Sequence, residues 1–170
     1  MSFLELAHNR YSCRKFSDKK VEHEKIDKII EAAMASPTAI NAQPIKIWII
    51  QGEQNITKVA QATPFTFGTN LIFAVGAKIG EGYTRKFDGK NFAQIDATIV
   101  ATHMMLEIHD LGLGTTWVGH FDPAKLKEQY PQMNEYEIVG LFPTGYPSED
   151  ATPSDRHEVS KPKKDLVSEL

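Results

Sequence analysis

Apolar residues recur at the spacing of a helix in two long stretches of the chain. Over residues 22–35 they fall at positions i, i+3, i+4, i+7 and i+8, which is typical of a helix with one face against a core; they are Ile26, Ile29, Ile30, Ala33 and Met34. Over residues 91–111 apolar or small residues go almost all the way round the helix. Because such a helix is buried on several sides, we expect a second subunit to cover part of it.

Shorter apolar runs predict strands. Residues 45–51 and 138–142 are rich in β-branched and aromatic side chains, and residues 71–77 are apolar on both faces, which favours a buried strand. A short strand is also expected over residues 115–118. Further helices are expected at residues 2–9, 53–62 and 122–129, the first opened by a capping box from Ser2 to Glu5 and the last by Asp122-Pro123. The pattern predicts an α+β fold in which helices flank a central antiparallel or mixed sheet on both sides.

The remaining segments are polar or rich in proline. Residues 80–89 are polar and contain glycines, so we expect a mobile loop there. Residues 147–170 hold prolines, serines and charges and predict an extended tail, whose end, Asp165-Leu166-Val167, could add a strand to another element. No repeat or linker divides the sequence. Residues 1–170 are therefore predicted to form a single domain, with residues 147–170 as its C-terminal tail.

Composition narrows the possible partners. Apolar residues make up 41% and charged residues 24% of the chain, the balance of an ordinary globular protein. The net charge of −3 and the lack of a basic helix argue against nucleic-acid and membrane partners. No apolar stretch approaches the roughly 20 residues of a membrane span, and no signal-peptide pattern is visible. The single cysteine, Cys13, excludes an internal disulfide, so we expect a cytoplasmic protein.

The strongest candidate for a binding site lies near the N-terminus. Arg10, Ser12 and Arg14 are two residues apart, so in an extended segment all three side chains point to one side. In a helix, Arg10 and Arg14 would still share a face. Guanidinium forks and a neutral donor are the groups that bind a phosphate monoester; the alternative is a solvated basic patch at a helix end. Cys13 is expected to face away from the arginines as a small filler.

No catalytic pattern accompanies this motif. The sequence lacks a GxSxG elbow, a Walker A loop and a complete GxGxxG. None of the six histidines has the spacing of a metal site, and no two carboxylates are placed to work as acid and base. We therefore predict no metal and no catalytic side chain, and we expect a bound cofactor to supply the chemistry.

A series of motifs along the chain gives this front segment a context. Arg-x-Ser-x-Arg is followed by an amphipathic helix, by Ser-Pro-Thr-Ala-Ile-Asn-Ala-Gln-Pro at residues 36–44, by a strand, by Gly-Leu-Gly-Thr-Thr-Trp-Val-Gly-His-Phe-Asp at residues 112–122 and by Gly-Tyr-Pro at residues 145–147. In this order the motifs, which cover nearly the whole chain, resemble the nitroreductase family of flavoproteins. The resemblance implies the nitroreductase fold, an FMN cofactor, and a homodimer with two interfacial flavins and a C-terminal tail that extends onto the partner subunit.

The resemblance also implies which residues contact FMN. The front motif, which holds the phosphate and the pyrimidine side of the ring in the family, is here Arg10, Tyr11, Ser12 and Arg14. A loop that typically comes from the other subunit is represented by Pro37, Thr38, Asn41 and Gln43. Asparagine and glutamine suit this contact because each offers a donor and an acceptor. A capped turn before a strand is the alternative explanation for them.

Two further segments are implied at the flavin. The stretch near the flavin N5 edge corresponds to Val118, Gly119 and His120, where family members often have an acidic residue and a glycine. This departure puts side-chain help at N5 in doubt, and His120 is the one candidate for it; packing against the next subunit is its alternative role. In the tail, aligning the proline makes Lys161 the candidate for the phosphate, whereas aligning a later leucine favours Lys163; we prefer Lys161. A solvated basic tail would also explain these lysines.

The implied reaction is a two-step oxidoreduction. NAD(P)H passes hydride to the flavin N5, the nicotinamide leaves, and an acceptor such as a nitroaromatic or a quinone enters the same space. Two alternatives stay open. One is another flavin enzyme of the same superfamily, such as a dehalogenase or a dehydrogenase. The other is a protein that stores or delivers FMN without useful turnover.

Overall fold

A four-stranded antiparallel sheet forms the centre of the molecule. The computed structural model describes residues 2–170; Met1, the first residue of the predicted domain, lies outside the described residues. The strands lie in the order β1-β2-β4-β3, with β1 at Ile45–Gln51, β2 at Leu71–Ala77, β3 at Gly114–Thr115 and β4 at Glu137–Gly145. Every neighbouring pair is antiparallel, which confirms the predicted α+β class with an antiparallel sheet.

Helices cover both faces of the sheet. The α-helices within residues 2–170 are α1 (Phe3–Asn9), α2 (His23–Met34), α3 (Glu53–Ala60), α4 (Ala93–Asp110), α5 (Pro123–Gln129) and α6 (Lys163–Leu166), of which α1 and α6 bury no residue. One face of the sheet packs against α2 and α4 in a core that includes Ile29, Phe73 and Met104. The other face packs against α3 and α5, which contribute Val59 and Leu126. No helix among residues 2–170 is long and apolar enough to cross a membrane.

Local sequence signals explain where the helices begin and end. At α1 the N–H of Glu5 donates to the Ser2 hydroxyl at 3.2 Å, and the N–H of Ser2 donates to the Glu5 carboxylate at 2.6 Å, which is the predicted capping box. At α5 the Asp122 carboxylate accepts from two N–H groups of the first turn. Beyond α4, Gly112 has a φ of 73°, which suits glycine, and the N–H of Leu113 reaches a carbonyl of the last turn at 3.0 Å.

The strand predicted over residues 115–118 is interrupted. β3 covers only Gly114–Thr115, and Val118 pairs with Leu141 of β4 as a separate bridge. The register of β3 on β4 places Pro143 opposite Thr116. Because proline has no N–H, the hydrogen-bond ladder cannot continue at this point.

One other segment differs from the sequence prediction, whereas residues 80–89 form a loop as predicted. The strand suggested for residues 165–167 is wrong, since Lys163–Leu166 forms the single-turn helix α6. A proline followed by lysines and a leucine favours such a turn. Residues 80–89, predicted as a loop, include part of a 3-10 helix at Ile79–Glu81 and a turn closed by a bridge between Thr84 and Asn91.

The first half of the tail folds back on the N-terminal segment of the same chain. Pro147 forms a bridge with Phe16, and Lys15 pairs with Asp150 at 2.6 Å. Further along, the Nε2 atom of His157 lies 3.1 Å from the carbonyl oxygen of His8. These contacts bring the tail next to the segment that carries Arg-x-Ser-x-Arg.

Tyr146, just before the tail, forms a charged cluster with the start of α2. Its hydroxyl donates to the Glu22 carboxylate at 2.6 Å, and the ammonium groups of Lys19 and Lys25 lie 3.9 and 4.7 Å from its ring centre. The Tyr146 hydrogen bond, ahead of Lys19, lowers the pKa of Glu22 from 4.5 to about 2. A carboxyl group with a lower pKa in the folded state stabilises the fold above its unfolded pKa, and this contribution is lost as the pH falls toward the folded value.

Tyr146→Phe should therefore destabilise the protein at neutral pH and have less effect in acid. The phenyl ring keeps its contacts with the two lysines, whereas removal of the hydroxyl group loses its hydrogen bond to Glu22 and its contact with Lys19. We expect the difference in urea midpoint between variant and wild type to shrink as the pH falls from about 5 to about 3. Glu22→Gln should remove the same pH dependence. A difference that stays constant over this range would contradict the linkage.

Candidate functional site

The N-terminal segment leaves α1 in an extended conformation and runs beside β3. Arg10 caps α1 with φ −61° and ψ 129°, and Ser12 forms a parallel bridge with Thr115. The N–H of Cys13 donates to the Thr115 carbonyl at 3.0 Å, and the Cys13 side chain is fully buried. Because side chains alternate along an extended segment, Ser12 and Arg14 point away from the core while Cys13 fills it, as the sequence predicts.

Arg10, Ser12 and Arg14 meet in one open cleft of about 330 Å³, which we refer to as the arginine cleft. Its lining is completed by Tyr11, Ser154, Arg156 and His157. Three guanidinium groups thus line the same space. None of the ion pairs formed within residues 2–170 involves any of these three arginines. Their charge is therefore available to an anion.

The tail residues in the arginine cleft differ from the one that the sequence suggested. The ring of His157 lies edge-on to Tyr11, with 6.4 Å between ring centres, and Arg156 lies beside it in the lining. Lys161 is exposed and does not line the cleft. Arg156-His157 is the first basic pair of the tail, and this was the sequence signal that could have identified it. Burial raises the pKa of the Tyr11 hydroxyl, so it stays protonated at neutral pH.

Arg14 also lines a second cleft, of about 220 Å³, which we refer to as the aromatic cleft. Its other lining residues are Phe65, Phe67, Thr116, Trp117, Val118, Gly119 and His120. The rings of Phe65 and Phe67 are stacked with 5.9 Å between their centres, and Phe65 lies edge-on to the His120 ring at 5.6 Å. The predicted stretch at residues 118–120 therefore lies in a cleft that shares Arg14 with the arginine cleft.

A buried threonine holds Phe65 and His120 of the aromatic cleft in place. The Thr63 hydroxyl donates to the His120 carbonyl at 2.7 Å and accepts from the N–H of Phe65 at 3.2 Å. Phe67 has a φ of 53°, a left-handed conformation that a bulky residue rarely adopts. Such strain is concentrated at functional sites. Sequence reasoning missed Phe65 and Phe67, because residues 64–68 have no regular period; two aromatic residues in a turn were the only signal.

The predicted flavin loop, residues 37–44, lies outside both clefts. Its predicted flavin contacts are Pro37, Thr38, Asn41 and Gln43. Thr38 and Gln43 line a separate cavity of about 90 Å³, and none of the four lines the arginine cleft or the aromatic cleft. Within one chain, the structure therefore does not bring the loop together with the arginine motif.

Histidines and carboxylates are scattered rather than clustered. Among residues 2–170, no group of three or more histidine, cysteine, aspartate or glutamate side chains could hold a metal ion. His109 lines a small cavity of about 100 Å³ together with Arg10 and Tyr11. Burial, and then the charge of Arg10, lowers the pKa of His109. Burial and Arg10 thus both favour the neutral form of His109 beside the arginine cleft.

Comparison with known proteins decides the family. The sequence matches the Nitroreductase family over residues 7–72 and 64–146. The chain belongs to the nitroreductase family. This membership confirms the resemblance seen in the sequence and the prediction of an oxidoreductase enzyme. The matched segments include the front motif, the flavin loop and the whole aromatic cleft, and they end before Arg156 and His157.

Individual members of the nitroreductase family align with nearly the whole chain. A relative from Methanothermobacter thermautotrophicus, described as a candidate NADH dehydrogenase/NAD(P)H nitroreductase, is 30% identical over 156 residues, which are 88% of this chain and 80% of the relative. A nitroreductase family protein from Clostridium difficile has a TM-score of 0.92 at 36% identity, over 99% of this chain and 98% of its own. A candidate nitroreductase from Exiguobacterium sibiricum, solved in complex with FMN, has the same fold, with a TM-score of 0.86 at 19% identity over 100% and 98% of the two chains.

Proposed function

We propose that the protein is an FMN-dependent oxidoreductase that passes hydride from NAD(P)H to a small acceptor such as a nitroaromatic or a quinone. The observation that carries this proposal is the position of Arg14, which lines both the arginine cleft and the aromatic cleft. FMN is a phosphate monoester joined to a flat ring system, so it needs these two kinds of surface side by side. The family relatives named for NAD(P)H and the neighbour in complex with FMN support the same assignment.

The arginine cleft fits the phosphate of FMN. Arg10 and Arg156 offer guanidinium forks that match phosphate oxygens, and Ser12 offers a neutral donor. We assign Arg14, which lines both clefts, to the pyrimidine side of the ring. In this assignment Arg156 has the role that the sequence gave to Lys161, and the part played by Lys161 stays a prediction.

The aromatic cleft fits the flavin ring. Phe65 and Phe67 offer flat apolar surfaces, and the ring of Trp117 is fixed by a hydrogen bond from Nε1 to the Val139 carbonyl at 3.2 Å. At Gly119 no atom lies within 4 Å of the position that a Cβ would take, so a ring can approach the backbone there. When bound, FMN supplies two-electron chemistry at N5. The residues of the chain bind it, orient it and keep water from one side.

We infer that a second subunit completes the site. Ile95, Ile99 and Leu106 recur on the side of α4 that faces away from the sheet, and Ile95 is 38% exposed. An apolar stripe at the centre of an outer helix face indicates an interaction surface. In a homodimer that covers this stripe, Asn41 and Gln43 of one subunit would complete the flavin site of the other.

Steady-state kinetics test the proposed function. NADH or NADPH is varied together with a nitroaromatic or quinone acceptor, using protein saturated with FMN. We expect parallel double-reciprocal lines, because the nicotinamide leaves before the acceptor enters the same space. FMN binding without oxidation of either nicotinamide would instead favour a storage or delivery protein.

His120→Ala tests whether a side chain acts as acid or base. The structure fixes the His120 carbonyl through Thr63 and leaves the ring exposed. Hydride transfer needs orientation rather than a proton donor, so we expect the variant to keep FMN and to lose less than about 100-fold in kcat/KM, the lower end for general acid–base catalysis. His23→Ala, at an exposed histidine outside both clefts, is the control. A larger loss at full FMN occupancy, with a pH dependence lost in the variant, would make His120 a proton donor.

A further inference from the structure

The flavin loop is held in a backbone conformation that its residues do not favour. Ile40, Asn41 and Gln43 have φ values of 51°, 56° and 50°. The left-handed region costs L-residues free energy because Cβ comes too close to the following carbonyl oxygen, and the β-branched Ile40 is the most unusual occupant. Surrounding contacts must hold such a loop in place.

Most contacts of the central part of the loop come from the loop itself. The N–H of Gln43 donates to the Thr38 hydroxyl at 3.1 Å, and the Gln43 side chain donates to the Asn41 side chain at 3.0 Å. Both hydrogen bonds are exposed to solvent, and Ile40 is itself 78% exposed. Exposed hydrogen bonds contribute little against the strain of three left-handed residues.

Asp96, a buried residue of α4, supplies a contact from outside the loop. Its Oδ1 atom accepts from the N–H of Ala39 at 2.9 Å, directly before the strained residues. Asp96 is 2% exposed, and its Oδ2 atom has no hydrogen-bond partner among residues 2–170. A carboxyl group buried with one N–H partner is unfavourable compared with an apolar side chain. Core packing therefore does not explain Asp96, whereas anchoring the loop to the long, buried α4 does.

We propose that Asp96 is a positioning residue that holds the flavin loop in its binding conformation. Its carboxyl group fixes Ala39, and the fixed backbone presents Asn41 and Gln43 for contact with FMN. The FMN contact rests on the proposed function, but the anchoring of the loop does not. A loop that is in place only part of the time would bind FMN with an affinity reduced by that fraction.

Two substitutions of Asp96 distinguish the contribution of its acceptor oxygen from the contribution of its charge. Asp96→Asn keeps an oxygen that can accept from Ala39, and Asp96→Ala removes it. We expect FMN affinity to fall about tenfold or more in Asp96→Ala and to stay within about threefold of wild type in Asp96→Asn. NMR amide exchange of Ala39, recorded on the full chain with and without FMN, should become faster in Asp96→Ala only.

Ser36→Ala is the matched control. It removes a part-buried hydrogen bond of 3.1 Å from the Ser36 hydroxyl to the Ala32 carbonyl, directly before the flavin loop and away from its strained residues. Its FMN affinity and its Ala39 exchange should both match wild type. A control that loses FMN as strongly as Asp96→Ala would show a general loss of stability and overturn the proposal.

The remaining outcomes also decide the proposal. Unchanged Ala39 exchange in Asp96→Ala would overturn it, as would faster exchange with unchanged FMN affinity, or equal losses in the two Asp96 variants. If the wild-type protein binds no FMN, the proposed function fails, and so does the loop's role at FMN. In that case Ala39 exchange still shows whether Asp96 anchors the loop.

Discussion

Replacing Arg10 with alanine should weaken FMN binding by about 1.5–3 kcal/mol, the range for hydrogen bonds to charged groups. Arg10 faces the arginine cleft and has no ion-pair partner within residues 2–170, so its fork is free to bind phosphate oxygens. Arg14→Ala should have an effect of similar size, because it removes the contact at the junction with the aromatic cleft. Titration of FMN, followed by quenching of its fluorescence, measures both losses.

Arg85→Ala is the matched control for these two variants. Arg85 lies on the surface outside both clefts, and its Nε atom pairs with Asp88 at 2.9 Å. Its removal should leave FMN affinity unchanged, although it makes the net charge of −3 more negative by the same amount as the other two variants do. Wild-type affinity in both Arg10→Ala and Arg14→Ala would contradict the placement of the phosphate.

A charge on the outer face of α4 should separate the subunits and release FMN. Ile99 is half-buried in the single chain and lies in the apolar stripe with Ile95 and Leu106. In the proposed homodimer, Ile99→Glu would bury an unpaired carboxylate in an apolar interface, which costs several kcal/mol. We expect wild type to sediment as a dimer at low micromolar concentration. The variant should be monomeric or unfolded, because many obligate dimers have no stable monomer.

Ile56→Glu is the control for the charge on α4. Ile56 is also a half-buried isoleucine on a helix, and it packs against the core on the α3 side of the sheet. It should lose stability within the subunit and still sediment as a dimer. Two results would contradict the homodimer: an Ile99→Glu variant that stays dimeric, and a wild-type monomer that retains FMN.

The elements that the sequence predicted well are those with local signals. The Ser2 capping box and the apolar run of β2 each depend on residues a few positions apart, and both occur at the predicted places. The apolar stripe of α2 is buried at Ile26, Ile29 and Ala33, whereas Met34, predicted to face the core, is the last residue of the helix and is 77% exposed. The interruption of β3 was not predictable in this way. It depends on Pro143, which becomes the neighbour of Thr116 only when β3 pairs with β4.

The residues of the candidate site divide in the same way, into those with a local sequence signal and those without one. Arg10, Ser12 and Arg14 could be identified because an extended segment places alternate side chains together. Arg156 lines the same cleft because the C-terminal tail folds back onto the N-terminal segment, which is far from it in sequence. Phe65 lies beside His120 because the buried Thr63 hydrogen-bonds to the backbone of both residues. These are long-range contacts that leave no period in the sequence. Their chemistry could be recognised only after the fold had placed them.

The visible absorption spectrum of the purified protein, with FMN added and excess FMN removed, tests the central claim most directly. We predict bound flavin at one FMN per chain. Under anaerobic conditions its absorption bands should be lost on addition of NADH or NADPH and should return on addition of a nitroaromatic or a quinone. A protein that retains no FMN, or whose bound FMN is reduced by neither nicotinamide, would contradict the account.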